Sequence, residues 1–137
     1  MPIIQITYST PAPSVDLPAR IAKDIVAITT RVLRKKPELT AVTIAQRDAA
    51  HWFVGGPSLA EQGLASFFLD IKVVDGTNTK DEKAAYVATI FDAFGQLLGP
   101  VHPESYVYIH DVKAEAYGFG GLTQEHRYIA GRLPHAA

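Results

Sequence analysis

The chain opens with a run of β-branched and aromatic residues, 3–8, that reads as a β-strand. Two prolines within residues 9–14 break it. Ile21, Ile25, Ile28 and Val32 then recur at i, i+4, i+7 and i+11, one face of an amphipathic helix. Asp16 stands at the N-cap position with Pro18 in the first turn, and Arg31, Arg34, Lys35 and Lys36 gather where cations suit the helix dipole. Pro37 stops the helix, and residues 39–45 read as a second strand. Residues 47–63 are irregular and hold Trp52 and Phe53 before the turn signal Gly55-Gly56-Pro57. A connection of that length points to a binding or contact role. The pattern then returns. Residues 66–74 form a strand ended by Asp75-Gly76, and Thr79 with Glu82 forms a capping box. Val87, Phe91, Phe94 and Leu98 make a second helical face, Gly99-Pro100 ends it, and residues 105–113 form a fourth strand.

The two halves repeat in pattern rather than in letters. A shift of 66 residues lays Ile21 on Val87, Ile25 on Phe91, Ile28 on Phe94 and Val32 on Leu98, and it lays Val42 on Tyr108 and Pro2 on Phe68. Two β-α-β units, 2–47 and 66–113, predict an α/β (α+β) fold: one four-stranded mixed sheet with both helices on one face. They form one domain over 1–121, followed by a C-terminal tail over 122–137, in which residues 124–132 read as a short helix or a loose segment. In the fourth strand Val107 and Ile109 point one way, and Tyr106, Tyr108 and His110 the other. Assigning the aliphatic pair to the helices leaves an aromatic and polar face uncovered, which predicts association with further copies.

Composition narrows the function. The net charge of −1 gives no basic field for nucleic acid. The absence of cysteine removes disulfides, thiolate nucleophiles and zinc–cysteine sites. The five histidines show no ligand spacing, so neither metal nor cofactor is expected. Residues 118–121 lack the third glycine and the strand–turn–helix setting of a dinucleotide fingerprint. No stretch has the form of a signal peptide or the length of a membrane span, so a soluble cytoplasmic protein is expected.

The residue that changes the picture is Pro2. It is small enough for removal of the methionine before it, which frees a secondary amine fixed by the strand behind. In the plainer reading it only starts that strand, where its missing N–H costs little. The repeat sets it against a mid-strand position. Burial disfavours the charged form of an amine, and neighbouring Lys35, Lys36 or Arg47 acts the same way, so the nitrogen becomes a candidate general base near neutral pH.

These features resemble the tautomerase superfamily over residues 2–121. The likeness rests on residues 2–6 (Pro-Ile-Ile-Gln-Ile), on 76–83, similar to the helix start in 4-oxalocrotonate tautomerase, and on 106–109 followed by Tyr117-Gly118-Phe119-Gly120-Gly121. Residues 50–56 resemble the mid-chain loop of the long members, such as macrophage migration inhibitory factor and cis-3-chloroacrylic acid dehalogenase. The resemblance implies a homotrimer without a cofactor, acting on a small keto–enol acid, with the amine of Pro2 moving a proton α to a carbonyl. It implies Lys36 as a binder of the substrate carboxylate, with Tyr106, Tyr108 and Tyr117 facing the substrate. Strand-four residues are expected to serve a neighbour's Pro2. The family's last-strand arginine falls at Tyr106, and the dehalogenase's arginines and glutamate fall near Val74, Thr77 and Ala116, with Lys72, Arg47 and Arg127 as possible substitutes. A related dehalogenase, hydratase or decarboxylase on the same fold, with Glu115 activating water, and a non-enzymatic oligomeric interaction protein are the alternatives.

Overall fold

A computed structural model describes residues 2–134; Met1, whose removal the proline chemistry requires, and residues 135–137 lie outside it. β1 (Ile3–Ser9) buries Ile4, Ile6 and Tyr8 and turns Ile3 and Gln5 outward, the period of two of a half-covered strand. α1 (Leu17–Leu33) buries Leu17, Ile21, Ile25, Ile28, Thr29 and Leu33. Val32 is only half-buried, and Leu33 takes the inward place expected for it. Asp16 stands at the N-cap but makes no side-chain cap; its carboxylate instead accepts from the Ser14 hydroxyl at 2.8 Å. The helix ends earlier than the cation cluster predicts. Arg34 turns left-handed at φ 58°, and Lys36 is extended, as a residue before proline prefers. Pro37–Leu39 then coils into one 3₁₀ turn, so β2 (Ala41–Gln46) starts two residues later than expected.

A short helix, α2 (Leu59–Gln62), interrupts the long connection before β3 (Ser66–Val74), whose bounds agree with the sequence pattern. α3 (Lys80–Leu98) carries the expected capping box: Thr79 Oγ1 accepts from the Glu82 N–H at 3.1 Å and Glu82 returns the contact to the Thr79 N–H at 2.8 Å. Its inward face keeps Phe94 and Leu98 of the expected set and differs at its start. Tyr86, Ile90, Phe94 and Leu98 are buried, whereas Val87 is 42% exposed and Phe91 half-buried. Tyr86 earns its place through its hydroxyl, which meets the buried Thr29 hydroxyl of α1 at 2.8 Å. Thr29 also donates back to the Ile25 carbonyl at 2.7 Å. Burial, partly offset by Thr29, pushes the Tyr86 phenol up to about 12, so it stays a neutral donor.

β4 (Tyr106–Val112) completes one four-stranded sheet in the order β2-β1-β3-β4. The outer pairs are parallel and the central β1–β3 pair is antiparallel, with Ile4 opposite Ile71 and Thr7 opposite Phe68. One core joins the inward residues of the sheet to both helices; Phe67 stacks on Phe94 with ring centroids 4.0 Å apart. The other face is bare. Phe68, Tyr108, Tyr106 and His110 form a chain of ring contacts across it. Beneath them Asp70 accepts from Lys72 and pairs with His110, both at 2.8 Å. Burial raises the Asp70 carboxyl, but the hydrogen bonds and charge of Lys72 and His110 together outweigh it and hold the group below its ordinary range.

The repeat has a period of 65 residues, not 66. Ile4 and Ile6 correspond to Leu69 and Ile71, Val42 and Ile44 to Val107 and Ile109, and Ile21, Ile25, Thr29 and Leu33 to Tyr86, Ile90, Phe94 and Leu98. A shift of 66 would match buried Ile4 with Asp70 on the bare face, since one residue of slip exchanges the faces of a strand. Pro2 therefore corresponds to Phe67, which is fully buried. The repeat also runs beyond 2–47 and 66–113. The 3₁₀ turn Ala49–His51 recurs as Ala114–Ala116, and the Phe53–Ser58 bridge recurs as the pairing of β5 (Gly118–Phe119) with β6 (Leu122–Thr123). α2 recurs as α4 (Gln124–Arg132), which settles that segment as a helix.

Tyr86→Phe removes one buried hydrogen bond and is expected to cost about 1 kcal/mol in urea denaturation. Phe94→Ala, which empties the stacked core position, is expected to cost about 3–5 kcal/mol. For Asp70 the native carboxyl is depressed, so its contribution is present above the unfolded value of about 3.9 and is lost as pH falls through the native one. Asp70→Asn should therefore be less stable than wild type at neutral pH, with the gap closing on acidification when both proteins are followed by thermal unfolding.

Candidate active site

Because β1 and β3 are antiparallel and β4 runs parallel to β3, the start of β1 lies beside the ends of β3 and β4. Pro2 sits there, buried, with its carbonyl accepting from the Ala41 N–H at 3.1 Å. Beyond β4 the chain turns through the 3₁₀ segment and doubles back in the β5–β6 hairpin, which swings Tyr117 and Phe119 over this end of the sheet. Glycine is required in that hairpin for two reasons, steric and conformational. A Cβ on Gly118 would stand 2.9 Å from the Leu122 carbonyl oxygen, and Gly120 has φ +60°. α4 locks the hairpin from behind: the Arg127 guanidinium donates to the Phe119 carbonyl at 3.0 Å and lies 3.8 Å above the Phe119 ring.

The result is a largely apolar cleft of about 670 Å³ in which Pro2, Ile3, Leu39, Lys72, Tyr117 and Phe119 meet. The Tyr117 hydroxyl donates to the Lys72 carbonyl at 3.3 Å and accepts from the backbone N–H of Ile3, the residue next to Pro2. Burial raises the Tyr117 phenol, more than the Ile3 amide lowers it, so it is protonated at neutral pH. Among the described residues Lys72 is the one basic side chain lining the cleft, and its ammonium is held 2.8 Å from Asp70. A protonated phenol and an ammonium at the edge of an apolar cleft are groups that can steady an oxyanion, and removal of the preceding methionine would add an amine at Pro2 able to take a proton from carbon.

Of the residues singled out in the sequence, Pro2 and Tyr117 come together here. Lys36 is exposed before the 3₁₀ turn and does not line the cleft, although Leu39 of that turn does. Tyr106 and Tyr108, 45% and 46% exposed, stand on the bare sheet face, with the Tyr106 phenol hydrogen-bonded to Glu104. Among the possible substitutes, Lys72 reaches the cleft and Arg127 braces it from behind. Arg47 lies at the far end of β2. Glu115 is exposed and outside the lining. Ile3, Leu39 and Phe119 also line the cleft and were not singled out as site residues, and of these Phe119 left a signal in the sequence. Its signal was an apolar side chain between turn glycines, eight residues before the arginine that holds it.

No family model and no curated protein matches the sequence. The fold has many counterparts among solved structures. A fused 4-OT in a symmetric trimer aligns with a TM-score of 0.76 at 15% identity, covering 90% of this chain and 96% of its own. Pt0534, described as inactivated by 2-oxo-3-pentynoate, aligns at 0.78 and 12% identity over 91% and 98%. A macrophage migration inhibitory factor-like protein from Entamoeba histolytica aligns at 0.72 and 20% identity over 89% and 97%. With its two β-α-β units, its central antiparallel pair and its match over about nine-tenths of its length, the chain has the fold of the fused 4-OT and macrophage migration inhibitory factor-like proteins.

Proposed function

We propose that the protein is a keto–enol tautomerase in which the amine of Pro2 is the general base on a small 2-oxo or 2-hydroxy-dienoic acid. The observation that carries this reading is the shared cleft of Pro2 and Tyr117, whose hydroxyl is hydrogen-bonded one residue from the proline. Once the methionine is gone, the Pro2 nitrogen is a secondary amine in an apolar cleft, where the neutral, basic form is favoured. It takes the proton α to the substrate carbonyl and returns it further along the conjugated system. The Tyr117 phenol donates to the enolate oxygen as charge collects there. Lys72, freed from Asp70 or shared with it, attracts the substrate carboxylate. The inactivation of the neighbour Pt0534 by a 2-oxo acid supports this class of substrate.

The homotrimer belongs to the same reading. Fused 4-OT neighbours are trimers, and the bare sheet face here exposes Phe68, Tyr106 and Tyr108 together. Association of three copies through this face would cover those rings and bring Tyr106 and Tyr108 toward a neighbour's Pro2 cleft.

Intact mass and ketonisation of phenylenolpyruvate test the mechanism together. The purified protein is expected to lack one methionine, with kcat/KM falling about 10²–10⁴-fold in Pro2→Ala and about 10²–10³-fold in Tyr117→Phe. Retained methionine, which leaves the proline nitrogen an amide, or undiminished turnover in Pro2→Ala would sink it. Sedimentation equilibrium should give the mass of three chains, and Tyr108→Glu on the bare face should shift the species toward monomer.

A further inference from the structure

The 65-residue repeat relates two clefts as well as two sets of strands. At the opposite end of the sheet, where β1 and β2 finish and β3 begins, a second cleft of about 660 Å³ lies among Thr7, Arg47, His51, Trp52, Phe53 and Phe68. Its residues are the repeat partners of those around Pro2: Phe68 for Ile3, Arg47 for Val112, His51 for Ala116, Trp52 for Tyr117 and Phe53 for Gly118. The same backbone device builds both. Each has a 3₁₀ turn, a bridge closed by two glycines of positive φ, and a following helix. In each, a side chain from that helix donates to a matched carbonyl: Gln62 to Val54 at 3.1 Å and Arg127 to Phe119 at 3.0 Å.

The chemistry differs at each substituted position. Phe67 stands where Pro2 would, inside the chain and buried, so this cleft has no terminal amine. Where the Pro2 cleft has valine and alanine, it has a guanidinium and an imidazole. Arg47 is exposed and has no ion-pair partner among the described residues. The neighbouring Asp48 also lines the cleft, but its carboxylate caps the 3₁₀ turn, accepting from the Ala50 N–H at 2.9 Å. The Phe53 ring and the Trp52 indole supply flat apolar surface beside the guanidinium.

We propose that this second cleft is a non-catalytic binding site for a small planar carboxylate, its anionic end paired with Arg47 and its conjugated plane laid against Trp52 and Phe53. A guanidinium matches a carboxylate with two parallel hydrogen bonds, and aromatic faces cover a flat unsaturated chain. The site does not depend on the chemistry of Pro2.

Trp52 is the single tryptophan, so its emission reports on this cleft. Sorbate, a planar conjugated carboxylate, is titrated into wild type, Pro2→Ala, Arg47→Ala and Arg47→Lys, with methyl sorbate as the uncharged control. A saturable change in emission is expected with the same half-saturation in wild type and Pro2→Ala, weakened at least tenfold in Arg47→Ala, partly restored in Arg47→Lys and absent with the ester. Three results would overturn the proposal: no saturable response in wild type, an equal response in Arg47→Ala with a wild-type far-UV circular dichroism spectrum, or loss of the response in Pro2→Ala, which would assign the binding to the other cleft. If Arg47→Ala fails to fold, the comparison of sorbate with its ester on wild type decides, since equal responses would exclude recognition of the charge.

Discussion

The antiparallel pairing of β1 with β3 is the constraint on which the rest of the molecule depends. It joins the two β-α-β units at the centre of the sheet, in a register that sets Ile4 against Ile71 and Ile6 against Leu69. With those residues turned inward, Tyr8, Phe67 and Val73 follow, and both helices find their apolar partners on one side. A slip of one residue would turn the inward set of a strand to the bare face, so burial enforces the register strongly. The same pairing brings the first residues of the chain beside the ends of β3 and β4. Pro2 is thus buried by the far half of the protein rather than frayed.

Above that sheet the helices are matched by a polar contact as well as by packing. Thr29 and Tyr86 occupy inward positions that an all-apolar helix face would fill, and each hydroxyl satisfies the other. Asn78 adds a second tie by donating to the last carbonyl of α1, that of Leu33, at 3.0 Å. Arg34 reaches Glu82 at 3.1 Å, although the exposure of the arginine makes that ion pair a weak contributor. The start of α3 therefore closes the end of α1, and the helical layer holds together on its own terms. The other face of the sheet has no such layer. Its rings and its Asp70–Lys72–His110 group are the surface that trimerisation would cover.

The two ends of the sheet show one scaffold carrying two chemistries. A 3₁₀ turn, a glycine-closed bridge and a bracing helix recur at both ends, yet one end meets Pro2 and a phenol while the other meets a guanidinium, an imidazole and an indole. An N-terminal amine can exist only once in a chain, so the two halves cannot be chemically equivalent however alike their backbones are. The proposed functions divide along that asymmetry: proton transfer where the amine is, and recognition where the arginine is.

The four strands of the main sheet, the two long helices, their order and the capping box of α3 were legible because each follows from neighbouring residues: β-branched runs, apolar spacing, and Thr79 with Glu82. Pro2 at the head of a strand was legible for the same reason, whereas Tyr117 was singled out only through the family resemblance. The phase of the repeat was not. Val87 and Tyr86 serve almost equally well as the start of an apolar stripe, and the choice falls to Tyr86 only because Thr29, fifty-seven residues earlier, supplies a partner for its hydroxyl. Nor was the membership of the cleft. Lys72 joins Pro2 because the strand register carries it there, and Phe119 joins because Arg127 folds the hairpin back, whereas Lys36, Tyr106 and Tyr108 point elsewhere within one chain. Local patterns decide what each segment becomes; contacts between distant segments decide which side chains meet.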